Sequence, residues 1–256
     1  MIERNWRGVL VGSLLVVSAI PAVAETTLSI GAAYATGDYG FGGDDVEDVY
    51  APVTLDVKGE RLLFSLTVPY ASIDGPEGSV WVSDTFLPGE GPTVSEQGLG
   101  DVIASLTALD VFASSDGSVV VDLTGTIKFG TADEENGLGT GENDYSAQVD
   151  VYRLFDRGTL FANGGYKVRG DPDYFDLDDT WFVSAGGVYR ISAANSLGAM
   201  VSHRPEVIWY ADDATEFTVF AAHRFVNGWR VDVHGLAGLS DGSPDWGAGL
   251  RVRIPL

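Results

Sequence analysis

Between Val119 and Arg169, apolar and polar positions alternate with a period of two three times over. Val119, Val121, Leu123, Gly125, Ile127 and Phe129 alternate with Val120, Asp122, Thr124, Thr126 and Lys128. Successive side chains of a strand point to opposite faces, so this segment predicts a strand with one apolar side. A polar loop over 131–143 follows. Tyr145, Ala147, Val149 and Val151 then alternate with Ser146, Gln148 and Asp150. Asp156-Arg157-Gly158 predicts a tight turn. Beyond it, Leu160, Ala162, Gly164, Tyr166 and Val168 alternate with Asn163, Gly165, Lys167 and Arg169. The unit is strand, long loop, strand, short turn, strand.

That unit recurs along the chain. Upstream come a strand from Leu28 to Ala35, a Gly/Asp-rich loop over 36–48, and Val53, Leu55 and Val57 opposed by Thr54, Asp56 and Lys58. A turn at Gly59-Glu60 leads to Leu62–Tyr70. Ser72 to Gln97 is predicted as the longest loop, and Val102–Ala108 as the next strand. Downstream, an acidic loop over 171–179 precedes alternating segments at 181–190, 197–204, 217–221, 229–234 and 250–256. The pattern gives about twelve strands, mostly of the 9–11 residues a membrane strand needs.

Long and short connections alternate, and the strand count is even, as in an outer-membrane barrel. A soluble β-sandwich also alternates. It has no reason to put all its long connections at one end or to repeat a lipid-type face in nearly every strand. Hydrocarbon offers backbone N–H and C=O groups no partner, so a sheet placed there must close. Aromatic residues fall near the strand ends: Tyr70, Trp181 and Trp246 by the long loops, Phe155, Phe225 and Trp229 by the turns. These are the expected interfacial girdles.

The N-terminus changes the compartment. Arg4 and Arg7, the apolar run Val9–Ile20 and the small-residue site Pro21-Ala22-Val23-Ala24 predict a cleaved signal peptide over 1–24. The run is too short for a membrane anchor. Residues 25–256 are then the barrel, in the cell outer membrane. With 37 Asp+Glu against 15 Lys+Arg, the chain has a formal charge of −22, which excludes nucleic acid as a natural partner. The absence of Cys rules out disulfides and thiolate metal sites. No cofactor is expected. Outer-membrane lipid, a small-molecule solute and barrel-assembly machinery are the expected partners.

The charges divide between lumen and loops. Lys58, Asp122, Lys128, Asp150, Lys167, Arg169, Arg190, Arg230, Asp232, Arg251 and Arg253 fall on the inward, polar phase and are the expected lumen and selectivity residues. Asp56, Arg204 and Arg224 share that phase. Surplus acid lies in the long loops, for example Asp133-Glu134-Glu135 and Asp171–Asp179. These runs read as a solvated face; as divalent-cation ligands they lack EF-hand spacing. The loop over 72–97 is different. Trp81, Phe86 and Leu87 stand among Gly and Pro, and the loop is expected either to fold inward as a constriction or to pack against its neighbours. His203, His223 and His234 lie in separate strands, and there is no Gly-x-Ser-x-Gly elbow or metal-type His pair, so no catalytic residue is assigned.

Gly98-Leu99-Gly100-Asp101, Lys128–Asp133 (KFGTAD), Leu138–Arg153, Asn163–Asp171 and Ser184–Ser192 together resemble the outer-membrane β-barrel family of meta-pathway phenol degradation transporters, over about residues 98–256. This chain has Gly130 where the usual family form has Pro. The resemblance implies outer-membrane transport of aromatic or other hydrophobic compounds and no catalytic residues. The expectation is an all-β, transmembrane, antiparallel up-and-down β-barrel of about twelve strands, a channel for passive uptake of small molecules rather than an enzyme. The alternatives are a closed structural or adhesive barrel, and a barrel hydrolase that would need His234 beside a serine and an acid.

Overall fold

The computed structural model describes residues 25–40, 45–83, 85–87, 89 and 91–256. The expected signal peptide, 1–24, lies outside the described residues. The elements in order are β1 (Glu25–Gly37), β2 (Val46–Lys58), β3 (Leu62–Pro76), β4 (Val80–Val82), β5 (Thr85–Leu87), β6 (Thr93–Leu99), β7 (Val102–Ala113), β8 (Val119–Phe129), β9 (Asp144–Leu154), β10 (Gly158–Val168), β11 (Thr180–Arg190), β12 (Asn195–Arg204), β13 (Ala214–Arg224), β14 (Arg230–Gly238) and β15 (Trp246–Pro255).

All neighbours are antiparallel. β1 pairs with β2 on one side and β15 on the other, so the sheet closes on itself. β6 and β7 form one barrel strand interrupted at Gly100-Asp101. β3 pairs with β6 from Tyr70↔Leu99 to Pro76↔Thr93, and with β7 from Leu62↔Ala108 to Thr67↔Ile103. Counted so, and with the small β4–β5 hairpin set apart, the barrel has twelve strands. The interruption has a cause: Pro69 lies opposite Pro52 and offers no N–H to the ladder. The Gly100 N–H bonds to the Pro69 carbonyl at 2.9 Å and restitches the joint.

The loop expected over 72–97 is shorter than its sequence suggested. The β3–β6 ladder runs to Pro76 and restarts at Thr93, and a second hairpin is folded within the remaining span. Five short turns, Glu25 and the C-terminal Leu256 lie at one end of the barrel, and six longer connections at the other.

Inside and outside follow the period of two. Leu123, Val149, Val151, Leu160, Val183, Val201, Val219, Val233 and Leu250 are exposed on the outer wall. Asp122, Thr124, Lys128, Gln148, Asp150, Asn163 and Ser184 are buried within. Trp181, Trp246, Tyr145 and Tyr166 stand outward near the loop end, and Phe155, Phe225, Trp229 and Tyr189 near the turn end. The largest outward side chains thus face lipid, and the buried apolar clusters sit under the loops. Val149 lies mid-strand in β9 and faces outward. Val149→Arg is expected to destabilise the barrel in lipid by about 2–4 kcal/mol, measured by urea titration of folding into vesicles. A neutral result would place this face away from hydrocarbon.

Candidate functional site: the lumen and its mouth

Strand register sorts the inward residues into rows. One row runs Asp122, Asp150, Asn163, Ser184, Ser202, Glu216, each directly opposite the next. The next inward row toward the turns runs Val120, Tyr152, Phe161, Gly186, Met200, Thr218, Leu236. The third runs Leu154, Thr159, Val188, Gly198, Phe220, His234, Gly249. The fourth holds Arg190, Ser196, Ala222, Asp232 and Arg251, and the fifth Arg224, Arg230 and Arg253. Along this half of the wall a polar, acidic band gives way to an apolar band and then to a guanidinium band.

The apolar band is built from rings on glycines. Phe161 lies opposite Gly186, Phe220 opposite Gly198 and His234 opposite Gly249, and one row above the acidic band Phe182 lies opposite Gly165 in the same way. A Cβ at Gly198 would run into the Phe220 ring, and one at Gly249 into the His234 ring. The rings therefore lie against the wall over backbone that has no side chain, the arrangement by which aromatics cover glycine in sheets. Apart from His234, these residues were not singled out from the sequence. The signal is a cross-strand pairing, which alternation within one strand does not report.

At the turn end the charges converge. The Arg230 Nε donates to Asp232 Oδ1 at 2.8 Å, and Arg253 Nε lies 3.1 Å from Asp232 Oδ2. Arg251 stands directly opposite Asp232 on the neighbouring strand. A cavity of about 430 Å³ opens here, lined by Lys58, Asp56, Arg224, Arg230, Arg251 and Arg253 together with hydroxyls of Thr27, Ser29, Thr54 and Ser65. Asp122 and Asp150 sit further up: the Asp110 N–H bonds to Asp122 at 2.7 Å and Gln148 Nε2 to Asp150 at 2.7 Å. Lys167 lies one row below the mouth, between Ser146 and Thr180, and Arg190 opposite Ser196.

Lys128 and Arg169 serve the loops. Lys128 Nζ donates to Asp101 Oδ2 at 2.7 Å and to the Glu142 carbonyl at 3.0 Å, and lies 3.5 Å from Asp144. Asp101 Oδ1 also accepts the N–H groups of Thr131 and Ala132, each at 2.9 Å. Arg169 Nη1 donates to the Asp178 carbonyl and the Thr180 hydroxyl. Asp101 and Asp144 were missed as partners, although both lie within the stretches that carry the family resemblance.

The mouth is crossed by the β4–β5 hairpin. Trp81 and Phe86 lie tilted against each other at 4.7 Å between ring centroids and pack with Tyr39, Val46, Ala71, Ile73 and Leu138. Val80, Val82 and Leu87, on the other face, pack with Leu177, Val207 and Ile208. The first cluster belongs mainly to β2 and β3, the second to the loops of β11 and β12, and these strands face each other across a ring of twelve. The hairpin thus bridges opposite walls. Its Ser83 hydroxyl donates to Asp144, its Trp81 N–H to the Gly137 carbonyl at 2.8 Å. Gly137 has φ +66°, and a Cβ there would meet the Ser79 carbonyl. The Tyr39 hydroxyl donates to Asp48 at 3.2 Å; burial first, then that carboxylate, pushes its phenol well above the ordinary range. On the rim, Glu206 is raised by its hydrogen bond to Asp213.

His203 Nδ1 is 2.8 Å from the Thr215 hydroxyl and His223 Nδ1 2.8 Å from Asn195 Oδ1. His234 makes no hydrogen bond to a serine or an acid among the described residues; its ring covers Gly249.

Residues 39–253 match the family model described as "Putative MetA-pathway of phenol degradation". The fold is similar to that of an outer membrane channel from Pseudomonas putida F1, at a TM-score of 0.73 and 15% identity, over 93% of this chain and 97% of that one. It is also similar to the NanC porin, at 0.57 and 10% identity, over 90% and 98% of the two chains. The KdgM porin aligns at 0.52 and 8% identity, over 88% and 96%. At these identities the likeness fixes the fold, a closed outer-membrane barrel. No curated protein sequence matches the chain.

Lys128→Met would leave Asp101 and Asp144 buried without their cation. It is expected to cost about 3–5 kcal/mol and to make the 130–143 loop cleavable by protease while the strands stay protected, read by limited proteolysis in vesicles.

Proposed function

The chain belongs to that family, and on this premise we propose that it is a passive channel of the outer membrane that admits small molecules. The observation that carries the reading is the lumen: inward hydroxyls and charges line a cavity at the turn end, beneath a hairpin that crosses the opposite mouth. The family's description ties it to phenol degradation, which agrees with a solute carrying an aromatic or other hydrophobic body. The inward Lys, Arg and Asp residues set selectivity by electrostatic barriers. Catalysis is no part of this reading, and barrel-assembly machinery inserts the chain after its signal peptide is removed.

The hairpin favours one rival, a closed barrel with a structural role, because its Phe86 and Leu87 side chains are almost fully buried. Planar-bilayer recording separates the two. A channel gated by this hairpin has a low basal conductance that Trp81→Ala with Leu87→Ser raises several-fold, as the two apolar clusters lose their anchors. Silence in both proteins, each shown to be folded by its heat-dependent mobility on a gel, would favour the closed barrel.

A further inference from the structure

The lumen carries two surfaces that answer different demands. The apolar band puts Tyr152, Phe161, Met200 and Phe220 on the inward side of β9–β13, each only half-buried. The guanidinium band begins one inward row below and gathers Arg224, Arg230, Arg251 and Arg253 around Asp232. Arg224 and Arg251 form no ion pair among the described residues, and both line the cavity. A neutral hydrocarbon would use the rings and gain nothing from the arginines, whose desolvation is costly. An inorganic anion would use the arginines and gain nothing from the rings.

We propose that the solute is a small organic anion with an apolar body, of the type of a one-ring carboxylate. This rests on the channel reading and deepens it. The dimensions agree. Neighbouring inward rows are two residues apart, about 7 Å along a strand, comparable with the overall length of such a molecule. Phe220 and Arg251 are one row and two strands apart, so a one-ring carboxylate moving down the lumen meets the ring first and the guanidinium next. Guanidinium suits this task because its fork bonds both carboxylate oxygens at once. The cavity of about 430 Å³ lies at the guanidinium end, lined by the four arginines and the His234 ring and not by the four apolar side chains, and its size suits a small ligand. The acidic loops oppose the approach of anions, but exposed charges are screened within about 8 Å at physiological salt. The guanidinium band acts at contact, inside the wall. Asp122 and Asp150, in the row beyond the apolar band, are each already engaged by a hydrogen-bond donor.

The test uses the refolded mature barrel in planar bilayers bathed in potassium chloride. Potassium benzoate, potassium acetate and benzyl alcohol are added in turn, and interruption of the ion current is titrated. Benzoate is expected to interrupt the current at a concentration about tenfold below either of the others, since the ring's apolar contact and the carboxylate's charge-assisted contact are each worth on the order of tenfold. Arg251→Gln should remove about tenfold of the benzoate effect and lower the chloride-to-potassium permeability ratio. Phe220→Ala should weaken benzoate while leaving that ratio unchanged. Arg224→Gln, at the exposed edge of the band, replaces Arg251→Gln if the latter fails to fold. Equal interruption by acetate, equal interruption by benzyl alcohol, or none by benzoate in a conducting channel would each overturn the solute class and leave the channel reading standing. A folded barrel without current, before and after removal of the mouth hairpin's apolar side chains, would sink both.

Discussion

Everything in this molecule depends on the unwillingness of hydrocarbon to hydrogen-bond. A backbone N–H or C=O facing lipid without a partner costs several kcal/mol. Each spanning strand must therefore be paired on both sides, and the chain meets that demand by joining β1 to β15. Closure then dictates the rest. It gives two faces of opposite character, one wet or packed and one oily. It also places six connections at one end, where they can fold together, and five tight turns at the other. Where Pro69 breaks the ladder, the chain repairs it locally through Gly100.

How much of this was legible in the sequence follows from the same constraint. Lipid imposes an apolar stripe on each strand, so the twelve strands and their alternation could be read directly. Above the lipid the stripe stops, but pairing does not. Ser72–Pro76 and Thr93–Gln97 continue the β3–β6 ladder, yet Asp74, Gly75, Ser95 and Glu96 look like loop because no membrane selects their outward face. The β4–β5 hairpin was harder still. Three alternating residues on each side are too few to distinguish from chance, although the apolar character of Trp81, Phe86 and Leu87 among glycines and prolines did mark the segment.

The lumen was legible only by residue type. Period two assigned Lys128 and Arg251 to the same inward face, and both are there. It could not separate their roles, because role depends on height along the strand and on which residues lie opposite. Lys128 lies beside Asp101, Asp144 and the loop carbonyls, whereas Arg251 faces an Asp232 that already holds two guanidiniums. The ring-on-glycine pairs make the same point. Gly165 and Gly198 read as weak points in their strands until register set Phe182 and Phe220 across from them.

The division between wall and mouth explains how a tightly packed hairpin is compatible with passage. The wall is a continuous ladder whose opening would expose paired backbone to lipid, so it belongs to the stable end of the local-unfolding spectrum. The hairpin is held by two small apolar clusters, a few backbone bonds and the Ser83–Asp144 contact, all of them above the lipid. Moving it exposes those groups to water, which can hydrogen-bond them, and leaves every wall pairing intact. Stability and access are thus carried by different parts of one chain. The buried Asp101–Lys128–Asp144 cluster marks the joint between them, since it fastens the loops to the last rung of the β8–β9 ladder.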